Sequence, residues 1–249
     1  MTRLDFGATW RDTAAAFARD RSTYLTLAAA FVLLPAMAAQ VFGPASPRRI
    51  ADVGTAVLFV QLGLALVSMA AQLTIMRMML RGDAPRAALA VTLPKVPVLF
   101  LAGVLTALAL LPATSLIAAA MQGTRAALLP GLALLIPGVF VASRLALAGP
   151  LIAAHGLGAV ASLRASWLAT AGNGWRILGV LAAFAGLFLV VALLAAALGG
   201  AVASVLLLLG GKAFASFVAT LLPAAASAAY AAVNAVALAT IFRRLTPAP

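Results

Sequence analysis

Residues 143–180, SRLALAGPLIAAHGLGAVASLRASWLATAGNGWRILGV, contain the end of one long apolar run, an amphipathic connector and the start of the next apolar run. The connector, residues 157–170, would be about 21 Å long as a helix, which is shorter than the roughly 30 Å hydrocarbon core of a bilayer. We therefore predict a helix that lies along the membrane surface and does not cross it. Its apolar side is predicted to contain Leu157, Val160, Leu163, Trp167 and Leu168, with Ser162, Arg164 and Ser166 flanking it.

The composition of the whole chain predicts a membrane protein. Hydrophobic residues make up 65% of its 249 residues and charged residues 9%, against roughly 45–50% and 25% in soluble domains. A soluble fold of this size has too little interior to bury so much apolar surface. The apolar runs continue for about 20 residues without the alternation that is typical of barrel strands. These features predict an all-α, polytopic bundle of membrane helices.

Six apolar runs divide the chain, which we interpret as a single membrane domain of residues 1–249. Residues 1–21 are amphipathic and are predicted to form an interfacial N-terminal helix. Ala36-Met37-Ala38 resembles a signal-peptide cleavage site, but we favour a retained first span. The pattern of residues 199–212 does not decide their conformation. The predicted spans are residues 22–42, 52–80, 96–121, 126–150, 174–198 and 213–242.

The distribution of positive charge predicts the orientation in the membrane. If the N-terminus is cytoplasmic, thirteen of the 17 lysines and arginines fall on the cytoplasmic side and four on the outer side. Cytoplasmic loops carry such an excess of Lys and Arg, so both termini are predicted to be cytoplasmic. The high content of Ala, Leu, Gly and Arg is typical of a bacterial chain from a GC-rich genome, which points to the bacterial inner membrane.

A weak internal repeat is visible in the sequence. Residues 7–31 and 158–184 both begin with Gly-Ala, continue with a Trp/Arg amphipathic piece, and end in a span that closes with Ala-Ala-Phe. Residues 82–104 are a looser third copy. The repeated unit would be an interfacial helix, a span out, a short turn and a span back, used three times, although alanine-rich sequences also produce such matches by chance.

The sequence lacks the residues that catalysis or metal binding needs. It has no cysteine and no glutamate, only one histidine, and five aspartates that all lie outside the long apolar runs. A nucleophile with its base, a carboxylate pair or a metal site cannot be assembled from them. We therefore predict no enzymatic activity, no metal and no cofactor. The net charge of +12 is interpreted as a preference for anionic membrane lipids and not for nucleic acid.

Arg144 is the most unusual residue, because it lies near the end of an apolar span. One interpretation is an anchor that snorkels to the interface or binds helix-end carbonyls. The other is a headgroup site formed by Arg144, Arg164, Trp167 and Arg176, in which guanidinium groups bind a lipid phosphate. Four polar residues within the spans would either line a cavity or form hydrogen bonds between helices; they are Gln61, Gln72, Tyr230 and Asn234.

The central stretch is similar to a known signature. It matches the pattern of an arginine in the fourth span, then a proline with an aliphatic pair, and then "ALxxSWxLTxGNxW". The matching residues are Arg144, Pro150, Leu151, Ile152, Gly156, Ser162, Leu163, Arg164, Ser166, Trp167, Thr170, Gly172, Asn173 and Trp175. This resembles the membrane domain of glycerophosphoryl diester phosphodiesterases and related uncharacterised six-helix bacterial inner-membrane proteins. His155 stands where that family usually has an acid, and the family's catalytic domain is a separate soluble module.

Two classes of function are consistent with these features. The first is a non-catalytic integral membrane protein of the bacterial envelope that interacts with lipids or acts as a scaffold. The second is a transporter or lipid translocase with a site between the helices, because prolines within the spans permit broken helices around such a site. The absence of acidic residues from the spans weighs against a carboxylate that couples transport to protons or sodium.

Overall fold

The computed structural model describes residues 4–42, 54–209 and 211–246, and within these ranges the chain forms helices and no strand. Besides α-helices it contains short 3-10 turns at Leu93–Lys95 and Arg125–Ala127 and a π-helical turn at Ala29–Leu33. The helices are α1 (Phe6–Arg19), α2 (Arg21–Ala28), α3 (Leu34–Phe42), α4 (Thr55–Arg81), α5 (Pro85–Thr92), α6 (Val96–Met121), α7 (Leu128–Leu145), α8 (Ala148–His155), α9 (Ala159–Ala169), α10 (Gly174–Leu208) and α11 (Lys212–Leu245).

Six helical segments within the described residues are long and apolar enough to cross a membrane, which confirms the predicted all-α bundle with six spans. They are Arg21–Gln40, Thr55–Arg81, Pro85–Met121, Arg125–His155, Gly174–Leu208 and Phe214–Leu245. The fifth span does not end at residue 198 as predicted, because α10 continues to Leu208. Gly199 and Gly200 therefore lie inside the helix. Helical glycine costs only about 1 kcal/mol, which the surrounding apolar run offsets.

Proline explains the irregular first span. Pro35 lacks an N–H and its ring collides with the carbonyl four residues before it. The helix widens ahead of it, so that the Leu34 N–H bonds to the carbonyl of Ala29, five residues back. Such π-turns absorb a local conflict without ending the helix, and the span stays continuous.

The sixth span, α11, is the central helix of the bundle. In the apolar stretch of this span 56% of the residues are buried, whereas 17% are buried in the corresponding stretch of each other span. The buried part lies towards its C-terminal end, where Ala232, Ala235, Val236, Ala239 and Ile241 are almost completely inaccessible. Small side chains in this run allow α4 and α10 to approach closely.

The helices pack together mainly at one end of the bundle. We call it the connector end, because it contains α1, α5 and α9 together with the span ends that they join. The inner parts of α4, α6, α8, α10 and α11 supply most buried apolar residues here. Farther away, α6 and α7 pack chiefly on each other, as do α10 and α11, and most of their large side chains are exposed. This exposed surface is what lipid would cover.

Both described ends of the chain lie at the connector end. The Leu4 backbone bonds to Asn173 at the start of α10, and Arg244 near the end of α11 forms an ion pair with Asp12 of α1. A short helix also precedes the first, third and fifth spans. The order of short helices and spans does not test whether the three repeated units are symmetric. The threefold repeat therefore stays a prediction.

Glycine makes the close contact between α6 and α7 possible. A Cβ on Gly131 would lie 2.9 Å from Cγ1 and 3.1 Å from the backbone nitrogen of Ile117. Because the backbone atom belongs to the facing helix, the two helices would have to separate. Close approach of this kind contributes van der Waals attraction, which drives helix association in lipid.

We expect Gly131→Ala to lower the unfolding midpoint of the purified protein in detergent, because overpacking a tight contact costs about 1–3 kcal/mol. Gly186→Ala is the matched control, since a Cβ there meets nothing within 4 Å and alanine favours the helix. Its midpoint should be unchanged or higher. Equal shifts for the two variants would contradict the close contact at Gly131.

Candidate functional site

The connector helix α9 packs with its polar side inward. The side chains of Ser162, Ser166 and Thr170 are buried, whereas those of Val160, Trp167 and Leu168 are exposed. A helix is present in the predicted connector, spanning Ala159–Ala169; its position at the membrane surface stays a prediction. The predicted single apolar side was wrong, since Leu157 and Leu163 pack against the protein core and the other three point outward.

The inward polar residues compensate a break in the fourth span. The helix is interrupted between Leu145 and Ala148, which leaves backbone groups without their usual partners. The Ser166 hydroxyl donates to the carbonyl of Arg144 at 2.7 Å and accepts from the N–H of Leu147 at 3.2 Å. Because unpaired backbone groups are costly in an apolar environment, this one hydroxyl stabilises the break on both sides.

Arg144 binds the C-terminal end of α9. Its Nε donates to Thr170 Oγ1 at 3.0 Å, and its Nη2 donates to the backbone carbonyl of Trp167. The guanidinium carbon also lies 4.1 Å from the centre of the Trp167 ring, a cation–π distance. A cation favours the negative end of a helix, so Arg144 holds α9 against α7. In the anchor interpretation Arg144 binds carbonyls at a helix end, and the bond to the Trp167 carbonyl is such a contact. The headgroup site stays a prediction.

One side of the Arg144 guanidinium stays available. Its Nη1 makes no hydrogen bond with the described residues. Arg164 is exposed, three residues before Trp167, and forms no hydrogen bond or ion pair within the described part of the chain. The half-exposed Trp167 ring lies beside Arg144, so these three residues form an outward surface with two guanidinium groups and one indole.

Arg176 contacts the N-terminal segment instead. Its Nη1 lies 3.4 Å from the carbonyl oxygen of Leu4, and Asn173 Oδ1 accepts the N–H of the same residue at 3.0 Å. Asn173 is at the N-cap position of α10, as predicted, but its side chain makes no capping bond. The structure therefore joins Arg144 to Trp167 but shows no direct contact between this pair and Arg176.

Gly174 lets Arg144 approach α10. A Cβ at this position would lie 2.8 Å from Arg144 Cδ and 2.8 Å from the Phe140 ring. The next residue, Trp175, packs its ring against Phe140 with centroids 4.8 Å apart. The Gly-Trp pair thus sets the distance between α7 and α10 around the arginine.

A second arginine-bound helix end was missed by the sequence analysis. Arg77 donates to the carbonyl of Ala153 at 3.0 Å, and Arg81 donates to that of Ala154 at 2.7 Å. Asp83 pairs with Arg77 at 2.6 Å. These carbonyls lie in the last turn of α8, where a helix leaves acceptors unsatisfied. The sequence did contain a signal for this contact: two arginines lie four residues apart at the end of an apolar span.

The four polar residues within the spans do not meet in one cavity. Gln72 lines a largely apolar cavity of about 330 Å³ between α4, α6, α7 and α8, and its amide lies 3.4 Å from the Ser68 hydroxyl. Tyr230 lines a separate apolar groove and stacks on Phe188 at 4.1 Å between centroids. Gln61 is exposed, and Asn234 is half-buried and lines neither space.

The described residues contain no group of three or more His, Cys, Asp or Glu side chains that could hold a metal ion. His155 is exposed at the end of α8, with its ring 6.1 Å from that of Phe242. Comparisons with protein-family models, curated proteins and solved structures found no match. The function is therefore argued from this geometry alone.

We expect Arg144→Lys to loosen α9, because an ammonium cannot reproduce the planar fork that binds Thr170 and Trp167. Loss of hydrogen bonds from a charged group costs about 1.5–3 kcal/mol. Faster hydrogen exchange in residues 159–170 and a lower melting temperature should report this. Arg164→Lys is the control and should change neither, since Arg164 has no such bonds. If the two variants exchange alike, Arg144 does not hold the helix.

Proposed function

We propose that the protein is a non-catalytic, lipid-interacting integral protein of the bacterial inner membrane, with anionic lipids as its partners and both termini in the cytoplasm. The observation that carries this proposal is the orientation of α9. Its hydroxyl groups face the protein, while Val160, Trp167 and Leu168 face outward with Arg164 among them. This is the arrangement of a helix that lies at the boundary between hydrocarbon and headgroups.

The preference for anionic lipid rests on the charges at the connector end. Arg164 is exposed beside Trp167, and Arg144 has an unused Nη1 next to the same indole. Guanidinium groups bind phosphate oxygens through paired hydrogen bonds, and an indole fits at headgroup level. Arg176, exposed at the start of α10, adds positive charge to this end.

The proposed relation to the membrane domain of glycerophosphoryl diester phosphodiesterases gains a structural interpretation. In this chain, the signature residues from Arg144 to Trp175 build the junction of α7, α8, α9 and α10. Ser166 and Thr170 bind the broken span, and Gly174 admits the arginine. We propose that this signature encodes a helix junction and not a catalytic site.

A lipid translocase is the second candidate. The cavity beside Gln72 favours it, because its walls are apolar apart from this amide and the Thr106 hydroxyl. Such a space suits an acyl chain better than a polar solute. Prolines inside α6, α7 and α11 provide positions at which helices bend.

The lipid interaction is tested by native mass spectrometry of the purified protein with phosphatidylglycerol and phosphatidylcholine. The parent should retain phosphatidylglycerol preferentially, and Arg144→Lys should retain less. Ser166→Ala separates the roles of Arg144, because it weakens the junction and leaves the guanidinium group in place. The Ser166→Ala variant should still prefer phosphatidylglycerol if the Arg144 guanidinium binds lipid directly. A parent protein with no preference for phosphatidylglycerol would refute the proposal.

The orientation is tested by cysteine labelling, since the chain has no cysteine of its own. Thr124 lies in the turn between α6 and α7, and Thr246 follows α11; both are exposed. In intact cells Thr124→Cys should react with an impermeant maleimide, and Thr246→Cys should react only after lysis. The opposite pattern would place the termini outside.

A further inference from the structure

A cavity of about 350 Å³ opens at the connector end between α1, α4 and α11. Its size is within the range of small-molecule sites, roughly 300–1,000 Å³. Part of its wall is apolar, and the charged part comes from α1 and from the last turn of α11. The lining residues are Asp12, Ala15, Ala16, Arg19, Met79, Thr240, Arg243 and Arg244.

The charges around this cavity are unbalanced. Among the described residues, three guanidinium groups line it and one carboxylate does, that of Asp12. Asp12 is paired with Arg244, whose Nε lies 3.0 Å from Asp12 Oδ2. Arg19 and Arg243 form no hydrogen bond or ion pair with any residue that the structure describes. Two cations therefore face the cavity without an anionic partner in the described part of the chain.

We infer that this cavity binds the phosphate of an anionic lipid headgroup, held by Arg19 and Arg243 with Arg244 beside them. A guanidinium presents parallel N–H donors that match phosphate oxygens. The Thr240 hydroxyl donates to its own helix, at the carbonyl of Val236, so it does not supply a donor to the ligand. Recognition consequently depends on the arginines.

The position of the cavity favours a lipid over free phosphate. It lies where the last turn of α11 and the end of α1 meet, next to the start of the first span. This is headgroup level if α1 is the interfacial helix that we propose. Met79, Ala15 and Ala16 provide an apolar wall for the glycerol part of a lipid. The inference therefore deepens the proposed lipid interaction and rests on it.

Helix dipoles do not provide this site. α1 and α11 both line the cavity with their C-terminal parts and no helix N-terminus among the described residues lines it, and the negative end of a helix dipole disfavours an anion. Arginine side chains must overcome this repulsion. Neutralising them should therefore abolish binding, with no residual backbone site to retain the phosphate.

The other interpretation is that Arg244 and Asp12 merely clamp α11 to α1. The two interpretations differ at Asp12. A carboxylate in a phosphate site repels the ligand, so Asp12→Asn should retain more phosphatidylglycerol than the parent. A purely structural clamp predicts no gain in lipid binding and only a lower melting temperature.

The experiment measures phosphatidylglycerol retained by the full-length protein, by native mass spectrometry from nanodiscs that also contain phosphatidylcholine. The double variant Arg19→Gln/Arg243→Gln should bind at least about tenfold more weakly, since two charge-assisted hydrogen-bond donors are lost. Arg86→Gln/Lys95→Gln is the matched control, because it removes the same charge from the same end at positions that do not line the cavity. Melting curves establish that all variants are folded.

The outcomes separate the site from the general function. If the parent prefers phosphatidylglycerol and both double variants lose it equally, or neither loses it, the cavity is not the site although the lipid interaction stands. If the parent shows no preference, the proposed function itself fails. Inorganic phosphate distinguishes the two sources: if phosphate raises the melting temperature of the parent but not of Arg19→Gln/Arg243→Gln, while both retain phosphatidylglycerol equally, the cavity is a phosphate-ion site and the assignment to lipid is overturned.

Discussion

Pairing of backbone groups at the helix ends is the constraint on which this structure depends. A span surrounded by lipid satisfies its own peptide groups, but each break or end exposes N–H and C=O groups that water cannot reach. Here the breaks are closed by side chains from other helices. Ser166 bridges the interruption in the fourth span, Arg144 binds the end of α9, and Arg77 and Arg81 bind the end of α8. The connector end is therefore held together chiefly by polar contacts.

These contacts divide the arginines into two groups that a charge count cannot distinguish. Arg77, Arg81 and Arg144 bind backbone carbonyls and act within the fold. Arg19 and Arg243 bind nothing in the described part of the chain. Only the second group retains its full capacity to bind an external anion. Arginines that stabilise the fold and arginines that are open to a ligand must therefore be counted separately.

Hydropathy was sufficient to predict the six spans, because burial in lipid depends only on composition over about 20 residues. It could not predict which side of α9 faces the protein. That side is decided by the interruption near Leu147, whose backbone groups require Ser166 and Thr170. The end of α10 was missed for a related reason: Gly199 and Gly200 were compatible with a turn, yet in an apolar run the helix continues. The role of Arg144 was predicted only as one of two alternatives.

The distribution of packing explains why the candidate binding surfaces lie at one end. Away from the connector end, α6 with α7 and α10 with α11 form pairs that contact other helices little and expose apolar side chains to lipid. Such surfaces carry no group that distinguishes one lipid from another. The connector end combines the C-terminal part of α11 with several arginines and Trp167. Because fixed side chains lose little entropy when a ligand binds, we propose that selective recognition takes place at the connector end, where polar contacts already order the chain.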